Sequence, residues 1–181
     1  MKKILILLCC VILTVFVLAG CGAKEDTLMS VRPFLEFSDV DMDGNKVTNE
    51  IFSQYDATII NFWSNGCGTC IEEMPELEEM YHNFKDRNIN LIGVGADSGT
   101  GEDMLEEAKK ILESKGVTYM NISPDPEGAL YDEIYSNMNG FPTTYVVDSQ
   151  GNIIGAPITG NVKMQLDTLE ARLEQITSKG K

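Results

Sequence analysis

Asn61-Phe62-Trp63-Ser64-Asn65-Gly66-Cys67-Gly68-Thr69-Cys70 sets two cysteines, spaced C-x-x-C, where a strand gives way to a helix. The strand is the apolar run Ala57–Trp63, bounded by the turn pair Asn65-Gly66. The helix is signalled by Cys70, Met74, Leu77, Tyr81 and Phe84 at helical spacing, with Glu72, Glu76, Glu79 and Lys85 off that stripe. This junction suits disulfide exchange. The attacking species is a thiolate, and a free cysteine with a pKa of about 8.5 is mostly protonated at neutral pH. Unpaired N–H groups in a first helical turn favour the anion. A shift of about 1.5 pKa units needs roughly 2 kcal/mol, within reach of a helix terminus and its hydrogen bonds. Cys67 is then the exposed attacking sulfur, and Cys70, one turn inward, the resolving one.

A zinc half-site and an inert buried pair are the competing readings. Tetrahedral zinc wants four ligands, and beyond Cys67 and Cys70 the domain offers only His82, several turns along the same helix. A pair this close in sequence closes too short a loop to staple a domain.

Working outward, Ile89–Ala96 reads as a second buried strand and Glu102–Lys115 as an amphipathic helix stopped by Gly116. Val117–Ile122 reads as a short strand, and a helical turn follows near Ala129–Tyr135. Thr143–Asp148 and Asn152–Ala156 form a hairpin about Ser149-Gln150-Gly151, and Val162–Ile176 is a closing helix. Upstream, Phe34–Val40 alternates apolar and polar residues and turns at Asp43-Gly44 toward Lys46-Val47; Thr48 can cap a helical turn through Phe52. Strands alternating with helices predict an α/β domain, a mixed sheet flanked by helices with an N-terminal β-hairpin extension.

The chain has 181 residues and a net charge of −14, a surface that repels phosphate backbones and disfavours nucleic-acid binding. Its start reads as a targeting segment: Lys2-Lys3, then the apolar run Ile4–Leu18, short for a spanning helix of roughly 20 residues. The run ends in Leu18-Ala19-Gly20-Cys21, which resembles the lipobox of bacterial lipoproteins, whose cysteine is acylated after cleavage. The expected organisation is a signal peptide at 1–20, lipidated Cys21 and a tether at 21–32, and one domain at 33–178. A plain N-terminal anchor is the alternative. Acylation at Cys21 would fix the domain on the extracytoplasmic face of a bacterial membrane. Cys9 and Cys10 leave with the signal peptide, so Cys67 and Cys70 are the thiols that remain free.

The strand–dithiol–helix segment, the later Phe141-Pro142-Thr143-Thr144 and the hairpin Val146-Val147-Asp148-Ser149-Gln150-Gly151 resemble a thioredoxin-like domain. More closely, they resemble the membrane-tethered TlpA/ResA-type thiol–disulfide oxidoreductases, over roughly Pro33 to Ile176. The resemblance implies a cis Pro142 and places Phe141-Pro142 against the dithiol as a substrate-binding backbone. It also implies oxidised exported proteins as substrates and an integral membrane thiol carrier as electron source.

Two departures stand out. Thioredoxins proper carry a buried Asp in the strand before the dithiol, where this chain has Asn61. TlpA-like proteins often share that feature, and some carry C-x-x-E-x-P, matched here by Cys70-Ile71-Glu72-Glu73-Met74-Pro75. Glu73 is therefore a candidate to tune or shuttle the proton of Cys70, set against a plain surface acid. Pro75 should kink the helix. The second departure is Asn65-Gly66, where many relatives place an aromatic residue, so access to Cys67 widens. Trp63 reads as core packing.

Asp39-x-Asp41-x-Asp43-Gly44, with Glu50 beyond, satisfies a calcium-loop spacing. The loop's apolar eighth position is Lys46 and no long helix precedes it, so no metal or other cofactor is expected beyond the dithiol. The leading function is a protein-disulfide reductase. A peroxiredoxin-like peroxidase would need an arginine beside the sulfur, from Arg32, Arg87 or Arg172, and a Sco-type copper-delivery protein would need the longer C-x-x-x-C spacing.

Overall fold

The computed structural model describes residues 31–178. The expected signal peptide, Cys21 and residues 22–30 of the tether lie outside the described residues. Among the described residues, nine strands form one sheet in the order β1-β8-β7-β4-β5-β6-β2-β3, with β9 beside β7. They are β1 Val31–Pro33, β2 Ser38–Asp41, β3 Lys46–Thr48, β4 Ala57–Trp63, β5 Ile89–Gly95, β6 Asn121–Ser123, β7 Thr143–Asp148, β8 Asn152–Ile154 and β9 Ile158–Thr159. β4 pairs parallel with β5 and antiparallel with β7, so the sheet is mixed. The helices are α1 Gly68–Lys85, α2 Glu102–Ser114, α3 Ala129–Asn137 and α4 Leu166–Ser178. This is the thioredoxin-like α/β architecture expected.

Strand alternation sorts the core into two faces. Ile60 and Phe62 of β4 join Ile92, Val94, Tyr145 and Val147 under α3, which contributes Leu130 and Ile134. Ala57 and Ile59 point the other way, with Leu77 and Phe84 of α1 and Leu169 and Leu173 of α4. Asn61 and Trp63 share this second parity, so a polar residue of a fully buried strand is aimed at α1. Trp63 is fully buried and donates its indole N–H to Asn121 Oδ1 at 2.9 Å, bearing out its core role. Gly93 makes room for that Asn121: a Cβ there would stand 1.9 Å from its Oδ1.

Several boundaries differ from the sequence reading, each for a local reason. Val31 and Arg32, placed in the tether, pair with Ile154 and Ile153 as β1. The strand expected from Phe34 begins only at Ser38. Asn49 ties down the intervening segment, accepting from the Phe37 N–H at 2.7 Å and donating to the Leu35 carbonyl at 2.8 Å. Val117 is taken by the cap of α2 instead of a strand. Gly116 adopts φ 68° and donates to Glu113 O, while Val117 donates to Leu112 O, the paired bonds of a Schellman motif. On α1 the buried side runs through Glu73, Leu77, Met80 and Phe84, and Tyr81 sits half-buried at its edge. Pro75 lies within this helix without ending it.

Candidate active site

The carboxyl end of β4 delivers the turn Ser64–Cys67, closed by Cys67 N–H to Ser64 O at 3.0 Å. Cys67 is the N-cap of α1, extended at φ −91° and ψ 93°, and its Sγ accepts from the Cys70 N–H at 3.2 Å. One orphan donor of the helix start therefore points at the first sulfur, the arrangement that favours a thiolate there. Cys67 and Cys70 are joined as a disulfide, their Cα atoms 5.3 Å apart. Cys67 is partly exposed and Cys70 is 1 % exposed, so the two sulfurs divide into an accessible and a sheltered one.

β7 runs antiparallel to β4 with Thr143 opposite Phe62, which brings the start of β7 to the dithiol end of β4. The Phe141–Pro142 bond at that start is cis, as the resemblance implied. Phe141 packs against the cluster that holds Cys67, Cys70, Trp63 and Met74. The Pro142 carbonyl accepts from Gly160, so the loop after β9 is joined to the same rim.

Glu73 is not a surface acid. It is 1 % exposed, one helical turn beyond Cys70, beneath the dithiol. Its carboxylate accepts from Asn61 Nδ2 at 3.0 Å and from the Val162 N–H at 3.1 Å. Burial pushes its pKa above the ordinary glutamate range, and the Val162 and Asn61 bonds only partly offset this. Asn61 Nδ2 also donates to Thr144 Oγ1 at 3.0 Å, so strand β4 and strand β7 both position the acid. Sequence reasoning treated Asn61 only as a residue unable to carry a proton and left out Val162 and Thr144. The alternation of β4 was the available signal for Asn61, because it points that side chain at the C-x-x-E helix. Nothing in the sequence marks a main-chain N–H such as that of Val162.

Ahead of the dithiol, Asn65 is buried and anchored. Its N–H donates to Asp97 Oδ2 at 2.8 Å and its side chain donates to Met104 O at 2.9 Å. Gly66 is exposed, with open space where a side chain would stand.

The acids of the calcium-loop pattern do not converge. Asp39 is buried and accepts from the Asp125 N–H at 2.7 Å. Asp41 accepts from the N–H groups of Asp43 and Asn45 and from Asn45 Nδ2, closing the β2–β3 turn. No group of three or more His, Cys, Asp or Glu side chains among the described residues could hold a metal ion. His82 is exposed and pairs with Glu78 at 2.9 Å. Among the arginines, Arg32 lies over the Tyr145 ring, Arg87 pairs with Glu170, and Arg172 is buried on α4.

Similarity to known proteins agrees with this geometry. The thiol-disulfide oxidoreductase ResA of Bacillus cereus is 24% identical over 176 residues, covering 97% of this chain and 95% of ResA. The thiol:disulfide interchange protein HelX of Rhodobacter capsulatus is 27% identical over 148 residues, 80% of this chain and 72% of HelX. Among solved structures, the thioredoxin domain of a thiol-disulfide oxidoreductase from Bacteroides vulgatus superposes with a TM-score of 0.62 at 25% identity, covering 76% of this chain and 95% of that domain. Residues 31–156 match the AhpC/TSA family, and the chain belongs to it as a TlpA/ResA-like thiol–disulfide oxidoreductase.

Proposed function

We propose that the chain is a protein-disulfide reductase held by a lipid on the outer face of the cell membrane. The observation that carries this reading is the division of labour at the dithiol: a partly exposed Cys67 capping a helix and a buried Cys70 one turn inside. The Cys67 thiolate attacks a disulfide of an exported protein, forming a mixed disulfide as one substrate thiolate leaves and is protonated. Cys70 then attacks Cys67, forming the intramolecular disulfide and releasing the second substrate thiol, so two electrons pass to the substrate. Glu73 is suited to take the Cys70 proton in the second step, since its raised pKa lies closer to that of a thiol than an ordinary carboxylate does. Phe141 and Pro142 offer a backbone edge beside the sulfurs for an extended substrate. An integral membrane thiol carrier would restore the dithiol, and acylated Cys21 would keep the domain near it. A peroxidase mechanism is not favoured, because each arginine of the domain is engaged or buried elsewhere.

The test is trapping in cells. Cys70→Ser in the full chain should accumulate mixed disulfides with exported proteins, identified by mass spectrometry, and Cys67→Ser should accumulate none. Cys21→Ser should move the protein from the membrane to the soluble fraction. Thioredoxin-like couples span about −270 to −120 mV, and a midpoint at the oxidising end would contradict the reductase direction.

A further inference from the structure

One carboxylate braces the turn that presents Cys67 from outside. Asp97, just beyond β5, accepts the Asn65 N–H on Oδ2 at 2.8 Å and the Tyr135 hydroxyl on Oδ1 at 3.3 Å. Asn65 belongs to the turn closed between Ser64 and Cys67, so Tyr135 is joined to the nucleophile's own turn through a single side chain. Its ring nevertheless stays 53% exposed. α3 buries Leu130 and Ile134 against the sheet, and Tyr131 and Tyr135 lie off that side of the helix, their ring centroids 4.4 Å apart. Burial and the neighbouring Asp97 push the Tyr135 phenol up to about 12, so it remains a donor throughout the physiological range.

The same turn is bare at Gly66. Gly66 offers no side chain and meets nothing within 4 Å of where a Cβ would stand. The turn is therefore open next to Cys67, and the exposed Tyr135 is tied to that same turn through Asp97. A tyrosine held at both its hydroxyl and its stacked face gives up little freedom when something packs on it, which makes it an efficient docking surface. The ring itself and its bond to the turn are what matter.

We propose that Tyr135, backed by Tyr131, determines specificity by packing against the residue next to the substrate's cysteine while that cysteine is joined to Cys67. Asp97 is the positioning residue that keeps the ring in register with the turn. The inference rests on the oxidoreductase reading and adds a substrate class to it: extended polypeptides with an apolar or aromatic residue beside the disulfide cysteine.

The test uses the reduced full chain in detergent and two short synthetic peptides whose single cysteine carries a thionitrobenzoate disulfide. One peptide has leucine beside the cysteine and the other serine. In single-turnover reactions the wild type should release thionitrobenzoate from the leucine peptide with about a fivefold larger second-order rate constant, the size of effect one aromatic contact provides, and the preference should lie in the peptide concentration that gives half the limiting rate. Tyr135→Ala and Tyr135→Gln should both bring the ratio close to one. Tyr135→Phe keeps the ring without its tether and should retain part of the preference. Asp97→Ala should weaken it, and Asp97→Asn, whose Oδ1 can accept from Asn65 while its amide donates to the Tyr135 hydroxyl, should restore most of it. A wild type with no preference, or Tyr135→Ala and Tyr135→Gln variants that keep it, would overturn the proposal and leave the oxidoreductase reading standing. A reduced wild type that released thionitrobenzoate from neither peptide would overturn both.

Discussion

Asn61 hands its amide to the Glu73 carboxylate at 3.0 Å inside the core, joining the strand before the dithiol to the helix that follows it. This one bond explains how an uncharged residue can serve beneath a redox pair. The ionisable group sits on the helix, and the strand residue orients it. Glu73 lies one helical turn beyond Cys70, and both side chains are buried.

Glu73→Gln should slow the release of substrate from the mixed disulfide by about a hundredfold, the lower end of what a positioned proton acceptor supplies. Stopped-flow measurement across pH would show the loss as a missing limb in the rate profile. An unchanged profile would reduce Glu73 to a packing role.

The same residue gives a signed prediction for stability. Its folded pKa is raised, so the native state holds the proton more tightly than the unfolded chain. That contribution is fully present below the unfolded carboxylate pKa and is lost as pH rises through the folded value. Urea titrations should show a decline in stability over this window that Glu73→Gln lacks.

Asn61→Ala should cost about 2–3 kcal/mol at neutral pH, because it leaves a buried carboxylate short of a donor. The cost should shrink in acid, where Glu73 is protonated and needs that donor less. Paired denaturation curves at the two pH values check the difference.

Gly93→Ala should be among the most damaging small substitutions. The new methyl would stand 1.9 Å from Asn121 Oδ1 and drive that side chain off the Trp63 indole. A cost of about 1–3 kcal/mol is expected from the overlap. The chain has one tryptophan, so a red-shifted emission would report the loss directly.

The β2–β3 turn is closed by Asp41, whose carboxyl burial pushes up but whose hydrogen bonds from Asn45, Asp43 and Gly44 together outweigh that and leave its pKa lowered. Asp41→Ala should cost about 1 kcal/mol, fully above the ordinary carboxylate pKa and progressively less as pH falls through the folded value. Millimolar calcium should leave the melting temperature of the wild type unchanged.

Much of the fold was legible because local signals and burial agree along the central strands. Ala57–Trp63 and Thr143–Asp148 are apolar runs ended by turn residues, and both strands carry those bounds. The edges were harder to read. Residues 34–37 carry a strand's alternation but are pinned by Asn49, a contact across 12–14 positions that no local pattern announces. Val117 looked like a strand residue until the cap of α2 claimed its N–H. At the site, the cysteines stood out by residue type and spacing, and the cis proline through the family resemblance. Glu73 was ambiguous because helical spacing put it at the edge of the stripe, and only the facing Asn61 and the Val162 N–H decide that it points inward. The Asp97–Tyr135 link had no sequence signal at all, since its partners lie 38 positions apart on separate loops and helices.

Redox function at this site requires that the sheltered sulfur and the accessible one be separated and rejoined by an outside thiol. Equilibrating the chain in graded mixtures of glutathione and its disulfide, quenching with an alkylating agent and weighing the products reads this directly. The prediction is a reversible two-electron transition of the Cys67–Cys70 pair, abolished in Cys67→Ser. A disulfide that stays closed in excess reductant, or thiols that never reform the bond, would contradict it.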